Sequence, residues 1–368
     1  MKLSLFAENL QKKLSLTTHA ISSRTQLSIL SHVLLETRGE NLSISATDLE
    51  IGIEVLIPAQ IEEEGATTIP AKLFLELVQT LPQDKITLQT TNGSLEILGK
   101  RVKSVLQTTP RDEFPTLYED LGEELLVLQA GEIKKIFGKV IFSSSIEATR
   151  PALSGMLMKK ETGGFVVVST DGYRLSLERF LSPNQGIVDQ TTVIIPAKVI
   201  KEAMALREDE ETKVYVSHHN NQVIFSQKEA TLVGRLIEAE FPNYQKIIPT
   251  DSATKTTFER EEMLKAVKAC SIFARESANI IKFSLKKDTI VVSAKSPSLG
   301  ENTVEVEAQL TGEENDIAFN ARYVLDFLTN VGEEQLSFEM TGPLNSGVFR
   351  IVGNPNFLHL IMPIRTQE

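Results

Sequence analysis

A repeat of about one third of the chain constrains this sequence more than any other feature. The segment Ile69-Pro70-Ala71-Lys72 returns as Ile195-Pro196-Ala197-Lys198 and, in altered form, as Phe319-Asn320-Ala321-Arg322. The basic residues that close these segments are 126 and 124 positions apart, close to one third of 368 residues. Because a fixed period marks a repeated structural unit, we expect three similar units.

Two further motifs recur at nearly the same distance along the chain. The motif Ala46-Thr47-Asp48-Leu49 returns as Ser169-Thr170-Asp171-Gly172 after 123 positions, and Phe114-Pro115 returns as Phe241-Pro242 after 127. A chain of this length is also long enough for two or three domains. We therefore predict three domains, at residues 1–125, 126–250 and 251–368.

Helical and strand patterns alternate within each unit. Apolar residues recur at helical spacing after each basic residue, as in Val324, Phe327 and Leu328, and an earlier stripe in each unit predicts a second helix. Stretches such as 42–46 and 304–308 alternate apolar and polar residues, which is typical of half-buried antiparallel strands. Two helices cannot cover both faces of the sheets. We therefore predict an α+β fold with the helices in one layer and antiparallel sheets in the other.

The charges are distributed unevenly between these predicted layers. A net charge of −11 argues against a protein whose whole surface binds nucleic acid. Predicted helix positions outside the apolar stripes nevertheless carry Lys12, Lys13, Lys134, Lys135, Lys139, Lys198, Lys201, Lys265 and Lys268. The acidic excess lies mainly elsewhere, in runs such as 62–64 and 208–211. A basic helical layer suits a surface that faces DNA, although lysines also solvate exposed helices without any ligand.

Signs of catalysis or metal binding are weak. The sequence has no phosphate-binding GxxxxGK[ST] loop, GxGxxG fingerprint, GxSxG elbow or HExxH helix. The pair His218-His219 precedes two asparagines, which favours a turn over a metal site. Asp48 and Asp171 occupy equivalent places in two units, so we interpret them as turn residues that recur with the fold. We expect no catalytic residue, no metal and no cofactor.

Cysteine content and hydropathy bear on the cellular compartment. The single cysteine, Cys270, excludes an internal disulfide and is predicted to fill a core. No stretch approaches the roughly 20 apolar residues of a membrane span, and the apolar start is too short for a signal peptide. We expect a cytoplasmic protein without a membrane partner.

The motifs together resemble the bacterial DNA polymerase III beta subunit family, the replicative sliding clamps, over essentially the whole chain. They are, in order, Arg24 with Leu27-Ser28-Ile29-Leu30, Ala46-Thr47-Asp48-Leu49-Glu50, Thr67-Thr68-Ile69-Pro70-Ala71-Lys72, Gly155-Met156-Leu157, Ser169-Thr170-Asp171-Gly172-Tyr173-Arg174-Leu175, Phe241-Pro242-Asn243-Tyr244 and Met362-Pro363-Ile364-Arg365. One such segment alone is weak evidence, whereas the ordered set at family spacing is specific.

The resemblance implies a function without chemistry of its own. It implies a head-to-tail homodimer of three-domain subunits that encircles double-stranded DNA, with helices lining the hole and sheets outside. Phosphate contacts carry no sequence information, so such a ring holds DNA independently of sequence. The implied partners are the replicative polymerase alpha subunit, the clamp-loader delta subunit and other clamp-motif proteins.

The resemblance also implies three sets of functional residues. A partner-peptide groove would have a wall of Leu153, Thr170, Leu175, Ile247, Leu360 and Met362, and a rim of Gly172, Tyr173, Arg174, Pro242, Pro363, Ile364 and Arg365. DNA would be met by Arg24, Lys72, Arg150 and Lys198, together with some helix lysines. In the dimer, Arg101, Lys103 and Val105 of one subunit would face Ile272, Phe273, Glu301 and Glu305 of the other.

Three positions depart from the family pattern. Tyr173 stands where many relatives have histidine, which is expected to alter the groove rim. Pro151-Ala152, after Arg150, stands where some relatives carry adjacent aromatic residues that touch DNA. Thr366-Gln367-Glu368 extends past the usual end and places an acidic tail near the groove.

Two other functions remain as alternatives at this point. An enzyme of repeated α+β units would use Asp48 and Asp171, or the histidine pair, and would require a metal or cofactor. A static scaffold that binds only protein would not need lysines gathered on its helices. The helix lysines favour the clamp over the scaffold.

Overall fold

The computed structural model describes residues 1–21, 27–147, 149–182 and 191–365. Arg24 and the tail 366–368, both considered above, lie outside the described residues. Within the described ranges the α-helices are α1 (Ala7–Thr17), α2 (Ala71–Gln79), α3 (Glu132–Ile141), α4 (Ala197–Met204), α5 (Arg260–Ala274) and α6 (Ala321–Asn330).

The strands of the described ranges are short and numerous. In chain order they are β1 (Lys2–Phe6), β2 (His32–Arg38), β3 (Asn41–Thr47), β4 (Ile51–Pro58), β5 (Gln60–Glu63), β6 (Ala66–Pro70), β7 (Lys85–Thr91), β8 (Ser94–Gly99), β9 (Val102–Gln107), β10 (Glu123–Leu128), β11 (Gly155–Glu161), β12 (Gly164–Thr170), β13 (Arg174–Leu181), β14 (Thr192–Pro196), β15 (Thr212–Ser217), β16 (Gln222–Ser226), β17 (Ala230–Arg235), β18 (Thr254–Glu259), β19 (Ile280–Leu285), β20 (Thr289–Ser296), β21 (Gly300–Gly312), β22 (Asn315–Asn320), β23 (Gln335–Met340), β24 (Gly347–Ile351) and β25 (Asn354–Ile361).

The order of these elements repeats three times. Each third runs through one strand, a helix, four strands, a second helix and three strands, and the first third adds the short strand β5. Every strand pairing between the described strands is antiparallel. The prediction that each unit has two helices and several antiparallel strands is confirmed.

The chain divides into two compact units that do not follow the repeat boundaries. The first comprises Met1–Gly131 and Lys201–Leu236, and the second comprises Glu132–Ile200 and Ile237–Glu368. The first unit has one sheet ordered β5-β1-β7-β8-β9 and another ordered β10-β15-β16-β17-β4-β3-β2-β6. The second unit has a twelve-stranded sheet ordered β14-β11-β12-β13-β25-β24-β23-β18-β21-β20-β19-β22. The middle repeat is therefore shared, because β17 pairs with β4 and β13 pairs with β25.

The core of the third repeat shows how the helices are held. Helix α5 packs on α6 and on the strands β20 and β21. Beneath them, Phe283, Phe319 and Phe338 meet edge to face, with ring centroids 5.7 to 6.5 Å apart. Cys270 is fully buried in the same core, and burial raises the pKa of its thiol. The predicted role of Cys270 as core filler is confirmed, and a raised pKa makes the thiol unreactive.

Candidate partner-binding groove and charged surfaces

The loop between β12 and β13 positions one end of the predicted groove. The hydroxyl of Thr170 donates to the carbonyl of Arg174 at 2.6 Å and accepts from the N–H of Gly172 at 3.1 Å. Oδ1 of Asp171 accepts from the N–H groups of Tyr173 and Arg174 at 2.9 and 3.0 Å. Gly172 has φ of 94°, a left-handed conformation that suits glycine.

The loop between β3 and β4 has the same hydrogen bonds. The hydroxyl of Thr47 donates to the carbonyl of Ile51 at 2.9 Å, and Oδ1 of Asp48 accepts from the N–H groups of Glu50 and Ile51 at 3.0 and 2.8 Å. Both aspartates therefore stabilise a tight turn through their side-chain oxygens. The interpretation of Asp48 and Asp171 as repeated turn residues is confirmed.

Two leucines of the predicted groove lie on adjacent strands. Leu175 on β13 lies directly across from Leu360 on β25, and their side chains are 0% and 1% exposed. Both belong to one apolar cluster that includes Tyr244, at the start of a short 3-10 helix, Tyr244–Ile247. Ala152 packs against the same cluster and precedes Leu153, which is buried in the 3-10 helix Pro151–Ser154. The two 3-10 helices and the two strands thus pack on one apolar cluster.

Three segments that contribute to this apolar cluster also carry large exposed apolar side chains. Tyr173 is 62% exposed, Ile247 is 50% exposed and Met362 is 49% exposed. The N–H of Met362 donates to the carbonyl of Tyr173 at 2.8 Å, so these two residues are held beside each other. Soluble proteins seldom gather large apolar side chains at the surface without a binding role.

The remaining predicted groove residues lie along the loops and the C-terminal segment. Pro242 and Arg365 are exposed, whereas Pro363 and Ile364 are partly buried. The N–H of Ile364 donates to the carbonyl of Ala318 at 2.8 Å, which fixes the segment against β22.

Arg174 is buried, which differs from the expectation that it lies on the rim. Its side chain is 8% exposed, and its guanidinium donates to Asp171 at 3.1 Å, to Asp326 at 2.7 Å and to the carbonyl of Phe142 at 3.0 Å. The guanidinium also lies over the ring of Tyr323, 4.6 Å from its centroid. The surrounding charges and rings therefore hold Arg174 inside the fold, where it fixes the loop from beneath.

A buried polar chain beside Arg174 was not predicted from the sequence. The hydroxyls of Ser143 and Ser176 are 2.7 Å apart, and the Ser176 hydroxyl is 2.8 Å from Nδ1 of His359. Burial, and secondarily the charge of Arg174, lowers the pKa of His359 well below its usual value. The imidazole is therefore neutral at pH 7. These residues come from distant segments, so no local pattern could have indicated their meeting.

The predicted DNA-contacting residues that are described lie on the surface. Lys72 and Lys198 are each the second residue of a helix, α2 and α4, and both are exposed. Arg150 is exposed as well, and its Nη1 lies 3.4 Å from the position that a Cβ on Gly172 would take. Arg24 lies outside the described residues.

The helix lysines do not form a single class. Lys135, Lys201, Lys265 and Lys268 are exposed. Lys12 pairs with Glu8 at 2.6 Å and Lys13 with Glu229 at 2.9 Å. The expectation that Lys139 lies off the apolar face of its helix is wrong, because its side chain is 9% exposed and is paired with Glu333.

The predicted dimer residues lie on or beside β9 and on β21 and helix α5. Arg101 lies in the turn between β8 and β9, Lys103 lies on β9, and β9 ends its five-stranded sheet. Glu301 and Glu305 lie in the first part of β21, residues 300–307, which pairs with β20, whereas residues 308–312 pair with β18. Ile272 on α5 is 54% exposed and Val105 on β9 is 49% exposed.

Metal-binding clusters and membrane-spanning helices are both absent from the part of the chain that the structure describes. Within the described ranges, no group of three or more His, Cys, Asp or Glu residues is placed to hold a metal ion. In the same ranges, no helix is both long and apolar enough to cross a membrane.

Comparison with known proteins identifies the architecture. Three family models match in succession: the DNA polymerase III beta subunit N-terminal domain at residues 1–118, its central domain at 127–243 and its C-terminal domain at 245–365. The chain belongs to the DNA polymerase III beta subunit family. Members of this family are sliding clamps, non-catalytic processivity factors in DNA replication, and this is the function of the chain. The predicted clamp fold with three repeated domains is confirmed.

Relatives match over almost their full length. The beta sliding clamp of Caulobacter vibrioides is 30% identical over 372 residues, which cover 99% of this chain and 100% of the relative. The beta sliding clamp of Bacillus subtilis is 27% identical over 380 residues, with both chains fully covered. The crystal structure of the Bacillus subtilis sliding clamp matches with a TM-score of 0.95 at 27% identity, and that of the Pseudomonas aeruginosa beta subunit with 0.93 at 27%, each over 100% of both chains. The family implies DNA and replication proteins as partners.

Proposed function

We propose that the clamp encircles duplex DNA as a head-to-tail homodimer and tethers replication proteins through the groove around Leu175 and Leu360. The observation that carries this proposal is the exposure of three large apolar side chains, Tyr173, Ile247 and Met362. Tyr173 and Met362 flank the paired, buried Leu175 and Leu360, and Ile247 ends the 3-10 helix whose Tyr244 packs in the same apolar cluster. The proposed occupants are short apolar motifs of the replicative polymerase alpha subunit, the clamp-loader delta subunit and other clamp-motif proteins.

The groove is suited to weak, exchangeable binding. One or two apolar side chains of a peptide would cover Met362 and Ile247, and apolar burial provides about 25 cal/mol per Å². Ordering the peptide offsets much of this gain, so micromolar affinity is expected. Arg174 is proposed to position the loop from inside rather than to contact the peptide, because its guanidinium is already paired with Asp171 and Asp326.

The dimer is proposed to form by strand pairing between subunits. The edge of β9 in one subunit would add to the first half of β21 in the other, since an open edge presents unpaired N–H and C=O groups. Arg101 and Lys103 would then face Glu301 and Glu305, and Val105 would approach Ile272 and Phe273. Repeated domains within each subunit allow a head-to-tail contact to close into a ring.

The DNA-facing surface is proposed to consist of Arg24, Lys72, Arg150, Lys198 and the exposed helix lysines. Because such contacts reach phosphates, binding is expected to be independent of sequence. We also propose the domain boundaries at 1–125, 126–250 and 251–368, and a cytoplasmic location.

Topological linkage to DNA is the decisive test. Labelled clamp loaded by its clamp loader on nicked circular plasmid should stay with the plasmid through gel filtration in high salt. Cutting the plasmid with a restriction enzyme should release the clamp, because only an encircling ring depends on the absence of free ends. Clamp that stays on linear DNA, or leaves the intact circle equally fast, would refute encirclement.

A further inference from the structure

The first unit contains a second copy of the groove's backbone frame. Gly52 lies across from Val233 in the β4–β17 pairing, as Leu175 lies across from Leu360 in the β13–β25 pairing. The N–H of Arg235 donates to the carbonyl of Glu50 at 2.9 Å, in the manner of Met362 and Tyr173. Since the β3–β4 loop also shares the turn hydrogen bonds described above, the two frames are equivalent and only their side chains differ.

This frame surrounds a cavity with two unsatisfied polar atoms. The cavity has a volume of about 170 Å³ and is lined in part by Asn220 and Gln222. Nδ2 of Asn220 and Oε1 of Gln222 are buried and have no hydrogen-bond partner within the described residues. Nε2 of Gln222 donates to the carbonyl of Leu117 at 3.0 Å, which orients the amide. Buried polar atoms are almost always paired, so the donor and the acceptor here call for partners that the described residues do not supply.

Leu49 occupies a strained position at the mouth of this cavity. Its φ is 76°, and glycine stands at the equivalent place in the second repeat, Gly172. Leucine is disfavoured in this left-handed conformation. The side chain is nevertheless 51% exposed and lines the cavity. A strained, exposed apolar residue at a cavity mouth indicates a binding contact rather than a folding requirement.

The cavity also has an apolar wall and a positive edge. Leu117 and Val233 line it, and the side chain of Leu117 fills the space that a Cβ on Gly52 would take. Arg235 is exposed at the position equivalent to Met362. Within the described residues its guanidinium makes no ion pair. The wall suits an aliphatic side chain, and the guanidinium suits a carboxylate.

We propose that this cavity is a second peptide-binding site, which takes an extended segment of a partner protein that carries an aliphatic residue followed by an acidic one. A backbone peptide group supplies the acceptor for Asn220 and the donor for Gln222. The aliphatic side chain lies between Leu49 and Leu117, and the carboxylate pairs with Arg235. This site shares no residue with the groove at Leu175 and Leu360, so its test does not depend on the proposed function.

Methyl NMR of the intact clamp tests this proposal locally. The probe is acetyl-leucyl-aspartyl amide at millimolar concentration, with labelled leucine and valine methyl groups as reporters. Saturable shifts are expected at Leu49, Leu117 and Val233. Asn220→Ala should weaken binding about fivefold through loss of one hydrogen bond. Arg235→Gln should weaken it about three- to fivefold through loss of an exposed ion pair.

Matched controls show whether the shifts arise from binding at this cavity. The neutral probe acetyl-leucyl-asparaginyl amide should bind the native clamp as weakly as the acidic probe binds Arg235→Gln, and that variant should no longer distinguish the two probes. Lys228→Gln, on the β16–β17 turn, and Met362→Asp should leave the shifts unchanged. If Asn220→Ala does not fold, the charge comparison alone decides. The proposal would be overturned if no shifts appear, if the shifts are confined to Leu175 and Leu360, or if neither Asn220→Ala nor Arg235→Gln changes them. Water would then be the sole ligand of Asn220 and Gln222.

Discussion

The imidazole of His359 stacks on the ring of Phe327, with centroids 4.8 Å apart and planes 2° from parallel. His359 belongs to β25 and Phe327 to α6, so the stack joins the strand that carries Leu360 to a helix of the third repeat. The histidine is fully buried, and its Nε2 has no partner among the described residues. A neutral ring fits this site, whereas a protonated ring would place a charge in the core.

Acid is therefore expected to destabilise the clamp through His359. Its folded-state pKa lies well below 6.5, so below pH 6.5 the unfolded chain binds a proton that the folded chain does not. Stability should fall as pH decreases, by up to about 1.4 kcal/mol per pH unit for this one group. Urea unfolding at pH 7.5 and 5.5 should show a smaller difference in His359→Gln than in the native protein. His218→Gln, on an exposed turn, should retain the native difference.

Arg174 is expected to stabilise the fold more than an ordinary surface arginine. Arg174→Met removes both carboxylate contacts and leaves Asp171 partly buried without its partner. We expect a loss of about 2–3 kcal/mol in the free energy of unfolding, somewhat below a fully buried pair because Asp326 is 35% exposed. Arg179→Met on the same strand, whose ion pair with Glu161 is more exposed, should cost about 1 kcal/mol or less. Equal losses in urea unfolding would contradict an inward role for Arg174.

The contrast between Arg174 and the helices shows what local sequence could predict. The repeated motif ending at Lys72 or Lys198 predicted a helix there, and α2 and α4 begin one residue earlier. The spacing of apolar residues in a helix and the residues of a tight turn are local features, so they can be identified in a single sequence. Arg174 meets Asp326 across 152 positions, and that pairing depends on β13 joining β25.

The same limit applies to strand pairing between repeats and to Lys139. The sheets run from one repeat into the next, which a count of repeat lengths cannot indicate. The position of Lys139 in the helical pattern predicts an exposed side chain, but Glu333 from another segment pairs with it inside the fold. The predicted groove residues rest on family resemblance, since buried leucines such as Leu175 otherwise look like ordinary core.

The exposed helix lysines should control the salt dependence of DNA binding. Lys72→Gln is expected to reduce the slope of log affinity against log salt by about 0.9 if Lys72 contacts one phosphate. Lys282→Gln removes an equal charge from β19, where Lys282 pairs with Asp316, and should leave the slope unchanged. Fluorescence anisotropy with two unrelated duplexes of equal length measures both slopes. A strong preference for one duplex would contradict phosphate contacts as the basis of binding.

Dimerisation should depend more on apolar residues than on ion pairs. Exposed ion pairs contribute about 0–1 kcal/mol each, so Ile272→Ala with Phe273→Ala is expected to give monomers in sedimentation velocity. Phe273 also packs against the core of the third repeat, so Val105→Asp on β9 tests the opposite side of the interface without that complication. Leu344→Ala, on the exposed turn before β24, should remain dimeric. A dimeric Val105→Asp variant at nanomolar concentration would show that β9 lies outside the interface.

Met362 provides the most direct test of the groove. Its side chain is 49% exposed, and its backbone is tied to Tyr173, so Met362→Asp changes the groove surface while the hydrogen bond between the two main chains remains. A bound peptide would cover this position and bury an unpaired carboxylate, which is strongly unfavourable. Met362→Asp should therefore abolish binding of a labelled polymerase-tail peptide in fluorescence anisotropy, whereas Met362→Leu should bind within about threefold of the native clamp because volume-conserving apolar exchanges cost little. Because Met362 is neither one of the predicted dimer residues nor one of the predicted DNA-contacting residues, the aspartate variant should still dimerise and remain on circular DNA. Unchanged peptide affinity in a folded, dimeric Met362→Asp clamp would place the partner site elsewhere.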